Sequence, residues 1–326
     1  MRAVHATEAG GPEVLTVVDL PETPPRPGEV RVQVAAAGVN FIDTYRRGGV
    51  YPMPFPHVVG SEGAGVVVEV GEGVTELAVG DHVAWSDAPQ SYAERVNVPV
   101  GSAIPVPAGI DLRTAAAIPL QGMTAHYLSH STYEVSPGDV ALVHAAAGGV
   151  GLLLTQLIVR RGGRVIGTVS TPEKESLARE AGASDVIRYT GLSDLTTELP
   201  ELVRGIIGGC GVDVVYDGVG KATFDASLAS LRPRGMLVLF GGASGQVPPF
   251  DLQRLNAAGS VFVTRPKLGD YVQDRAELLW RAADLFVAIT DGLSVRIGAE
   301  FPLDEAAAAH TALEGRHTTG KVLLTP

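Results

Sequence analysis

A glycine-rich turn between two apolar segments constrains the fold of this chain more than any other feature. The turn, residues 144–151, follows the apolar run Val140–Val143 and precedes a second one, 152–159, with Ala146 in place of the first glycine of the usual motif. A dinucleotide pyrophosphate needs this order of elements, because the turn admits phosphates close to the backbone and the helix start offers free N–H groups. The sequence therefore predicts a dinucleotide site, with an ordinary tight turn as the alternative. The residues of this turn predicted to bind the cofactor are Gly148, Gly149, Val150 and Gly151.

The end of the next predicted strand, Arg164–Val169, indicates which dinucleotide binds. A site specific for NAD(H) places Asp or Glu there, where the carboxylate accepts hydrogen bonds from the ribose hydroxyls. This chain has Ser170 instead, with Lys174 in the first turn of the following helix. A hydroxyl and an ammonium group fit a 2′-phosphate, so we expect NADPH as the cofactor. The nearby Glu173 is typical of a helix start, and a solvated helix lysine is the alternative for Lys174.

Strand-length and helix-length segments alternate from about residue 123, which predicts βαβ units and a parallel sheet covered by helices on both faces. The predicted strands are 140–143, 164–169, 185–187, 212–216 and 235–240. The predicted helices between them are 151–161, 173–181, 195–207 and 221–231. Before about residue 110, short β-branched runs bounded by Gly or Pro predict a β domain. Two further helices are predicted near the end of the chain, 274–290 and 304–313, the second with Asp304 as its N-cap.

Composition excludes several classes of function. The 326 residues are enough for two domains, and the net charge of −11 argues against nucleic acid or an anionic membrane surface as a partner. Cys210 is the single cysteine, so no disulfide can form within the chain, which is typical of a reducing compartment. The sequence has neither a long apolar run at its N-terminus nor an apolar stretch of membrane-spanning length. We therefore expect a cytoplasmic protein without a leader.

Six blocks of sequence identify a family. They are residues 38–45, 120–125, 144–151, 214–217, 263–266 and 320–324. With these blocks the chain resembles, over essentially its whole length, the medium-chain dehydrogenase/reductases, and among them the zinc-free quinone oxidoreductases related to ζ-crystallin. The resemblance implies an α/β fold with two domains, usually in a homodimer. A GroES-like β domain, 1–122 and 268–326, is expected to be catalytic, and a Rossmann domain with a doubly wound parallel sheet, 123–267, is expected to bind NADP(H).

The resemblance also implies roles for individual residues. Asn40 and Tyr45 are expected to face the substrate, which makes them the candidate catalytic residues. Further residues are expected to contact the cofactor. Those near the nicotinamide are Phe41, Ile42, Asp43, Thr44, Tyr45 and Tyr127, together with Gly218, Gly242, Ala243, Ser244, Gly245, Arg265, Pro266 and Lys267. Those around the 2′-phosphate and adenosine are Ser170, Thr171, Lys174 and Tyr189, and Arg316 is expected at the phosphates. Packing aromatics are the alternative for Tyr45 and Tyr127, and a surface arginine is the alternative for Arg316. Some relatives carry Ser in place of Gly218 and Asn in place of Gly242, so polar contacts at these two positions are expected to be missing here.

The same resemblance separates this chain from the zinc-dependent members of the superfamily. Those members carry a cysteine ligand within the segment that is 38–40 here, and a histidine at the position of Ser61, between a glycine and Glu62. Without these ligands no metal is expected, and no Lewis acid is available to hold an alkoxide. The expected activity is reduction by NADPH of a quinone or another conjugated carbonyl acceptor, which delocalises the incoming electrons. A reductase of enones or enoyl thioesters and a non-catalytic NADPH-binding protein are the alternatives.

Overall fold

The computed structural model describes residues 1–209 and 211–326, which divide into two compact units. Unit 1 consists of Met1–Met123 and Val272–Pro326, and unit 2 consists of Thr124–Tyr271. The boundaries predicted from the sequence fall within four residues of these limits. Cys210, on which the expectation of a reducing compartment rests, lies outside the described residues. In the part of the chain that is described, no helix combines the length and the apolarity that crossing a bilayer requires.

Strands and helices are numbered here in chain order. The strands are β1 Arg2–Ala6, β2 Leu15–Asp19, β3 Glu29–Val39, β4 His57–Val58, β5 Glu62–Val70, β6 His82–Trp85, β7 Arg95–Pro99, β8 Ile104–Pro105, β9 Val140–Val143, β10 Arg164–Val169, β11 Asp185–Arg188, β12 Val212–Asp217, β13 Leu231–Leu239, β14 Phe262–Thr264, β15 Ile297–Pro302 and β16 Lys321–Thr325. The helices are α1 Phe41–Arg47, α2 Leu112–Ala117, α3 Pro119–Tyr127, α4 Gly149–Arg160, α5 Pro172–Glu180, α6 Leu195–Ile207, α7 Phe224–Ser230, α8 Gln253–Ala257, α9 Arg275–Thr290 and α10 Ala306–Glu314.

Unit 1 is built around the long strand β3. Strands β7 and β16 pair antiparallel with one edge of β3, β7 near its start and β16 near its end, and β5 pairs antiparallel with the other edge. A smaller sheet has the order β2-β1-β4. In the larger sheet Val322 lies opposite Val39, and Gly38 lies opposite Glu62. This register brings the start of β16, the end of β3 and the start of β5 to one place, from which helix α1 departs.

Unit 2 is a doubly wound parallel sheet. Among the described residues its strand order is β11-β10-β9-β12-β13-β14, and every neighbouring pair is parallel. The order reverses between β9 and β12, and dinucleotides bind beyond the carboxyl ends of the strands at such a switch point. Leu142, Ile166, Val215 and Leu237 are fully buried on four of these strands, and each buried side chain of this kind stabilises the fold by about 1.5–3 kcal/mol. The predicted fold class, a GroES-like β domain and a Rossmann domain, is confirmed.

Three helix starts differ from the prediction by two or three residues. Helix α4 begins at Gly149, two residues before the predicted start at 151. The predicted helix 221–231 is shorter, because the hydroxyl of Thr223 and the N–H of Gly220 are both held by Asp217 and form a turn before α7 begins. The predicted N-cap Asp304 lies instead inside a short 3-10 turn, Leu303–Glu305, whose Leu303 is buried. The helix itself therefore begins at Ala306, with Glu305 as its N-cap.

Candidate functional site

The turn between β9 and α4 has the geometry that a pyrophosphate site requires. Ala145 has φ +51°, and the chain enters α4 through Gly148 in an extended conformation. A Cβ atom at Gly151 would lie 2.3 Å from the carbonyl oxygen of Ala145, so only glycine fits. A Cβ atom at Gly167 would lie 2.8 Å from the methyl group of Ala146, so a glycine in β10 makes room for the alanine of the motif. The first turn of α4 carries no acidic side chain, which keeps its N-terminus attractive to phosphate.

His144 links this turn to the neighbouring strands by hydrogen bonds, a role that the sequence did not predict. The hydroxyl of Ser227 donates to Asp217 Oδ2 at 2.7 Å and lies 3.0 Å from His144 Nε2. That hydroxyl therefore accepts from Nε2–H, and His144 Nδ1 accepts from the hydroxyl of Thr168 at 2.9 Å. Burial lowers the pKa of His144, which keeps the ring neutral. The chain Thr168–His144–Ser227–Asp217 joins the ends of β10, β9 and β12 beneath the turn.

The loops after β12 and β13 pack closely enough to require glycine. A Cβ atom at Gly220 (φ +88°) would lie 2.8 Å from the carbonyl oxygen of Gly245, and one at Gly241 would lie 2.4 Å from the carbonyl oxygen of Gly218. Ser244 joins the loops, since its N–H and its hydroxyl both donate to the carbonyl oxygen of Val219 at 2.8 Å. The predicted contact residues of this region therefore share one site: Gly218, Gly242, Ala243, Ser244 and Gly245.

The two glycines that replace polar residues of some relatives differ in the space around them. A Cβ atom at Gly218 would lie 2.8 Å from the ring of Phe240. At Gly242 the nearest atom to such a Cβ is 3.4 Å away, which is an ordinary contact. A side chain therefore fits at Gly242, whereas Phe240 occupies the space at Gly218.

The residues predicted around the 2′-phosphate lie at the ends of β10 and β11. Thr171 is the N-cap of α5, and its hydroxyl accepts from the backbone N–H of Lys174 at 3.3 Å. Thr190, which the sequence did not single out, donates its hydroxyl to the carbonyl oxygen of Ser170 at 2.9 Å. That bond holds the turn that begins at Tyr189 against the end of β10. The four predicted residues of this group are thus brought together, with Lys174 half-buried at the helix start.

The other predicted residues of unit 2 are more dispersed. The ring of Tyr127 is buried and stacks on the ring of Tyr271, with centroids 4.3 Å apart. After β14, Pro266 is buried, whereas Arg265 and Lys267 are exposed. The ammonium group of Lys267 lies 3.3 Å from Asp270. The sequence left two roles open for Tyr127, contact with the cofactor or packing against another aromatic ring. The stack on Tyr271 is a packing contact of this kind.

In unit 1, helix α1 carries the residues predicted to lie beside the nicotinamide. They divide by burial: Phe41, Ile42 and Tyr45 are half-buried, and Asp43 and Thr44 are buried. The ring of Tyr45 lies 6.1 Å from that of Phe41 and 5.9 Å from that of the exposed Tyr51. Helix α1 thus presents an aromatic face, while its opposite face is fixed in the interior of the unit. Arg316, also in unit 1, is exposed and has φ +60°.

Asn40, the N-cap of α1, lies in a buried polar cluster with Glu62 and Lys321. Its side-chain oxygen accepts from Lys321 Nζ at 2.8 Å, and its side-chain nitrogen donates to Glu62 Oε2 at 2.7 Å. Lys321 also forms an ion pair with Glu62, and both side chains are almost completely buried, 1% and 0% exposed. The other carboxylate oxygen of Glu62 accepts from the backbone N–H of Leu120 at 2.7 Å. The sequence singled out Asn40 but not its partners.

A second buried chain of hydrogen bonds starts at Asp43. Its carboxylate accepts from the backbone N–H of Asn40, from the hydroxyl of Ser61 and from that of Tyr92, at 3.0–3.1 Å. Tyr92 has one hydroxyl hydrogen, so it accepts from His310 Nε2 at 3.2 Å, and His310 Nδ1 accepts from Arg47 at 2.9 Å. Burial raises the pKa of Asp43 to about 6. Burial and the adjacent Arg47 guanidinium lower the pKa of His310 to about 3.

The comparisons with known proteins agree with this architecture. Residues 26–138 match the family model described as alcohol dehydrogenase GroES-like domain, and residues 149–277 match the one described as zinc-binding dehydrogenase. A quinone oxidoreductase of Pseudomonas aeruginosa is 45% identical over 320 residues, which are 97% of each chain. The chain belongs to the quinone oxidoreductase family of the medium-chain dehydrogenase/reductases. The predicted family is therefore confirmed.

A relative with a different activity and a protein with a bound cofactor are also similar to the chain. A 2-haloacrylate reductase of Burkholderia is 44% identical over 327 residues, covering 97% of this chain and 96% of the relative. The solved structure of a mycobacterial protein complexed with NADPH is 50% identical, covers 100% of both chains and has a TM-score of 0.97.

Proposed function

We propose that this protein is an NADPH-dependent quinone oxidoreductase that works without zinc. The observation that carries the proposal is the turn before α4, in which Gly151 fits only as glycine, at the switch point of a parallel sheet. This turn occurs in a chain that is 45% identical to a quinone oxidoreductase and 50% identical to a protein whose solved structure holds NADPH. The substrate is a small quinone or a related conjugated carbonyl compound.

Each unit has its own part in the proposed reaction. In unit 2, backbone N–H groups of 148–151 bind the pyrophosphate, and Ser170 and Lys174 bind the 2′-phosphate. Hydride is the chemistry that NADPH supplies when it is bound. In unit 1, the aromatic face of α1 orients the acceptor, and the Tyr45 hydroxyl donates to its developing oxyanion. Asn40 is 3% exposed and its side-chain amide is bonded to Glu62 and Lys321, so its predicted contact with the acceptor stays a prediction.

Zinc does not fit the residues at the positions where the zinc-dependent members have ligands. Asn40 and Ser61 offer a neutral amide and a hydroxyl, and zinc sites use thiolate, imidazole and carboxylate ligands. Two carboxylates lie beside them: that of Glu62 is paired with the Lys321 ammonium group, and that of Asp43 accepts from the Asn40 N–H and from the hydroxyls of Ser61 and Tyr92. Among residues 1–209 and 211–326, no three His, Cys, Asp or Glu side chains are grouped so that they could hold a metal ion. The proposed reaction therefore uses no metal ion.

The preference for NADPH gives a first prediction. Replacing Lys174 with alanine should raise the KM for NADPH by about tenfold or more, because a charge-assisted hydrogen bond to phosphate contributes about 1.5–3 kcal/mol. The KM for NADH, which lacks the 2′-phosphate, should change by less than about twofold. Steady-state kinetics with both cofactors check this. An equal rise in both KM values would show that Lys174 supports the fold rather than the 2′-phosphate.

We also propose that the protein is a homodimer located in the cytoplasm. Strand β14 is at the edge of the sheet of unit 2, and Phe262 on that strand is 58% exposed. Among the described residues no strand pairs with the outer edge of β14, and such an edge with a large apolar side chain favours pairing with a second copy. Phe262→Asp should therefore convert a dimer to a monomer, as measured by light scattering coupled to size-exclusion chromatography. A wild-type monomer, or a variant that remains dimeric, would reject the β14 edge as the interface.

A second candidate function follows from one comparison. The 2-haloacrylate reductase of Burkholderia is 44% identical, so reduction of a carbon–carbon double bond conjugated to a carboxyl or carbonyl group is the alternative activity. Oxidation of NADPH should be measured with a small quinone, an enone and an enoyl thioester, each after treatment with a chelator. Chelator-resistant turnover that is fastest with the quinone supports the main proposal. Faster turnover of the enone or thioester favours the alternative, and NADPH binding without turnover of any acceptor favours a non-catalytic protein.

A further inference from the structure

We propose that His144 is a positioning residue for NADPH, which joins the loops at the carboxyl ends of β10, β9 and β12 into one preorganised cofactor site. Its ring lies between the hydroxyls of Thr168 and Ser227, and Ser227 in turn donates to the carboxylate of Asp217. All four residues are buried, and none exposes more than 2% of its surface. The cofactor role rests on the NADPH binding proposed above, whereas the placement of the protons on the ring does not.

Each proton of this chain of hydrogen bonds can be placed. Asp217 Oδ2 takes the one hydroxyl hydrogen of Ser227 at 2.7 Å, so the Ser227 oxygen accepts from His144 Nε2–H at 3.0 Å. Burial lowers the pKa of His144, so Nδ1 carries no hydrogen and accepts from the hydroxyl of Thr168 at 2.9 Å. The three bonds therefore run in one direction, from Thr168 to the carboxylate, and bonds in such a series strengthen one another.

Asp217 continues the chain into the loops after β12 and β13. Its Oδ1 atom accepts from the backbone N–H groups of Val219 and Gly220, at 2.8 and 2.9 Å. Its backbone carbonyl oxygen accepts from the N–H of Phe240, the residue that follows β13, at 2.9 Å. These two loops contain the glycines predicted on the nicotinamide side. The carboxylate thus links the His144 ring to both of them.

The pyrophosphate turn is fixed at the other end of the same chain. The backbone N–H of His144 donates to the carbonyl oxygen of Tyr216 in β12 at 3.0 Å, and the N–H of Ala146 donates to that of Thr168 in β10 at 3.1 Å. The turn is therefore held to both neighbouring strands before it reaches Gly148. A site that already has its binding conformation loses less entropy when the ligand binds. We therefore expect the buried chain to contribute to the affinity for NADPH from beneath the turn.

The placement of the protons can be tested on the protein without cofactor. The ¹⁵N NMR signals of the histidine rings are recorded, and His144→Gln identifies the signal that belongs to His144. At pH 7 the ring should be the neutral tautomer with its hydrogen on Nε2. A hydrogen on Nδ1, or a ring that is half-protonated at about pH 6.5 or above, would overturn this assignment.

The cofactor role is tested by cutting the chain at Ser227. Ser227→Ala removes the donor to Asp217 and the acceptor of Nε2–H, so the Kd for NADPH from calorimetric titration should rise about fivefold or more. The Kd for 2′,5′-ADP, which lacks the nicotinamide, should change less than about twofold, because the cut lies on the side of the loops after β12 and β13.

Ser230→Ala is the matched control for this variant. Ser230 is equally buried in the same helix, α7, and its hydroxyl donates to the carbonyl oxygen of Ala226. The control should bind both ligands as the wild type does. An unchanged Kd for NADPH in Ser227→Ala would overturn the cofactor role. Equal rises for NADPH and 2′,5′-ADP would assign Ser227 to general support of the fold and would overturn it as well.

A double variant tests whether the chain acts as one unit. Thr168→Val removes the bond to Nδ1 and should raise the Kd for NADPH about threefold or more. Combined with Ser227→Ala it should add less than about twofold, because a chain already broken at one end is no longer coupled. Thr155→Val is the control, since the buried hydroxyl of Thr155 has no hydrogen-bond partner among the described residues, and it should keep the wild-type affinity.

The outcomes separate this inference from the proposed function. Fold-changes that multiply in the double variant would show two independent contacts and would overturn the role of His144 as the link between them. If the wild type does not bind NADPH, the proposed function fails and the cofactor role of His144 fails with it. The NMR measurement then still decides the protonation of the ring.

Discussion

Replacing Gly151 with alanine is expected to weaken the binding of NADPH. The added Cβ atom would lie 2.3 Å from the carbonyl oxygen of Ala145 and 2.8 Å from Cα of Ala146, and both are backbone atoms of the turn. The turn cannot retreat, because the methyl group of Ala146 is already packed against Gly167 in β10. Overpacking of this kind costs about 1–3 kcal/mol, which corresponds to about 5-fold to 150-fold in the Kd if the strain falls on the bound conformation.

The measurement is a fluorescence titration with NADPH, together with a thermal unfolding curve. Gly205→Ala is the matched control, since Gly205 is exposed within α6 and no atom lies within 4 Å of the position of its Cβ. That variant should bind NADPH as the wild type does and should be more stable by about 0.5–1 kcal/mol, because alanine favours the helical conformation. Equal Kd values for the wild type and Gly151→Ala would contradict the pyrophosphate site.

Sequence reasoning predicted unit 2 well because its elements are encoded locally. Strands β9 and β10 have the bounds that their apolar runs predict, and α6 begins and ends as predicted. Buried parallel strands must be apolar throughout, and their crossovers must be helices, so each element leaves its own pattern. The departures occurred where the hydrogen bonds of a side chain, rather than a periodic pattern of apolar residues, set the local structure. Asp217 organises the turn before α7, and no local pattern shows that a carboxylate at a strand end accepts from Gly220 and Thr223.

The polar clusters of unit 1 could not be predicted for the same reason. Lys321 meets Asn40 across 281 positions of sequence, and His310 meets Tyr92 across 218. Only the register of β16, β3 and β5 brings the first pair together. One local signal was available. Lys321 directly precedes the apolar residues 322–324, and a lysine that is buried with such residues requires an anionic partner. The partner itself, Glu62, could be identified only in the folded chain.

The buried pair Asp43 and His310 gives the second large prediction, a pH dependence in which two effects oppose each other. Burial raises the pKa of Asp43 from 3.8 to about 6, so its contribution to stability is present below about pH 4 and is lost as the pH rises through 6. The pKa of His310 falls from 6.5 to about 3, so the unfolded chain binds a proton that the folded chain does not, and stability falls as the pH drops below 6.5. The two effects amount to about 3 and about 5 kcal/mol over their full ranges.

Asp43 and His310 are both hydrogen-bonded to the hydroxyl of Tyr92. On the other side of His310 lies Arg47, which is paired with Glu314. Between about pH 6.5 and pH 4 the opposing effects nearly cancel in the wild type, and single substitutions should reveal each of them. Asp43→Asn should lose about 3 kcal/mol more than the wild type on acidification over this range.

His310→Gln is expected to change the pH dependence in the opposite direction. The glutamine amide can accept from Arg47 and donate to Tyr92 without titrating, so this variant should gain about 3 kcal/mol relative to the wild type between about pH 6.5 and pH 4. Free energies of unfolding from urea titrations across that range check both variants, and His82→Gln, which alters an exposed histidine, is the control. If the free energy of unfolding depended on pH in the same way for the wild type, Asp43→Asn and His310→Gln, neither Asp43 nor His310 would have a pKa shifted by burial. Slopes of opposite sign would show that the hydrogen-bonded chain beneath α1 holds a neutral His310 beside a carboxyl group that is charged only above about pH 6.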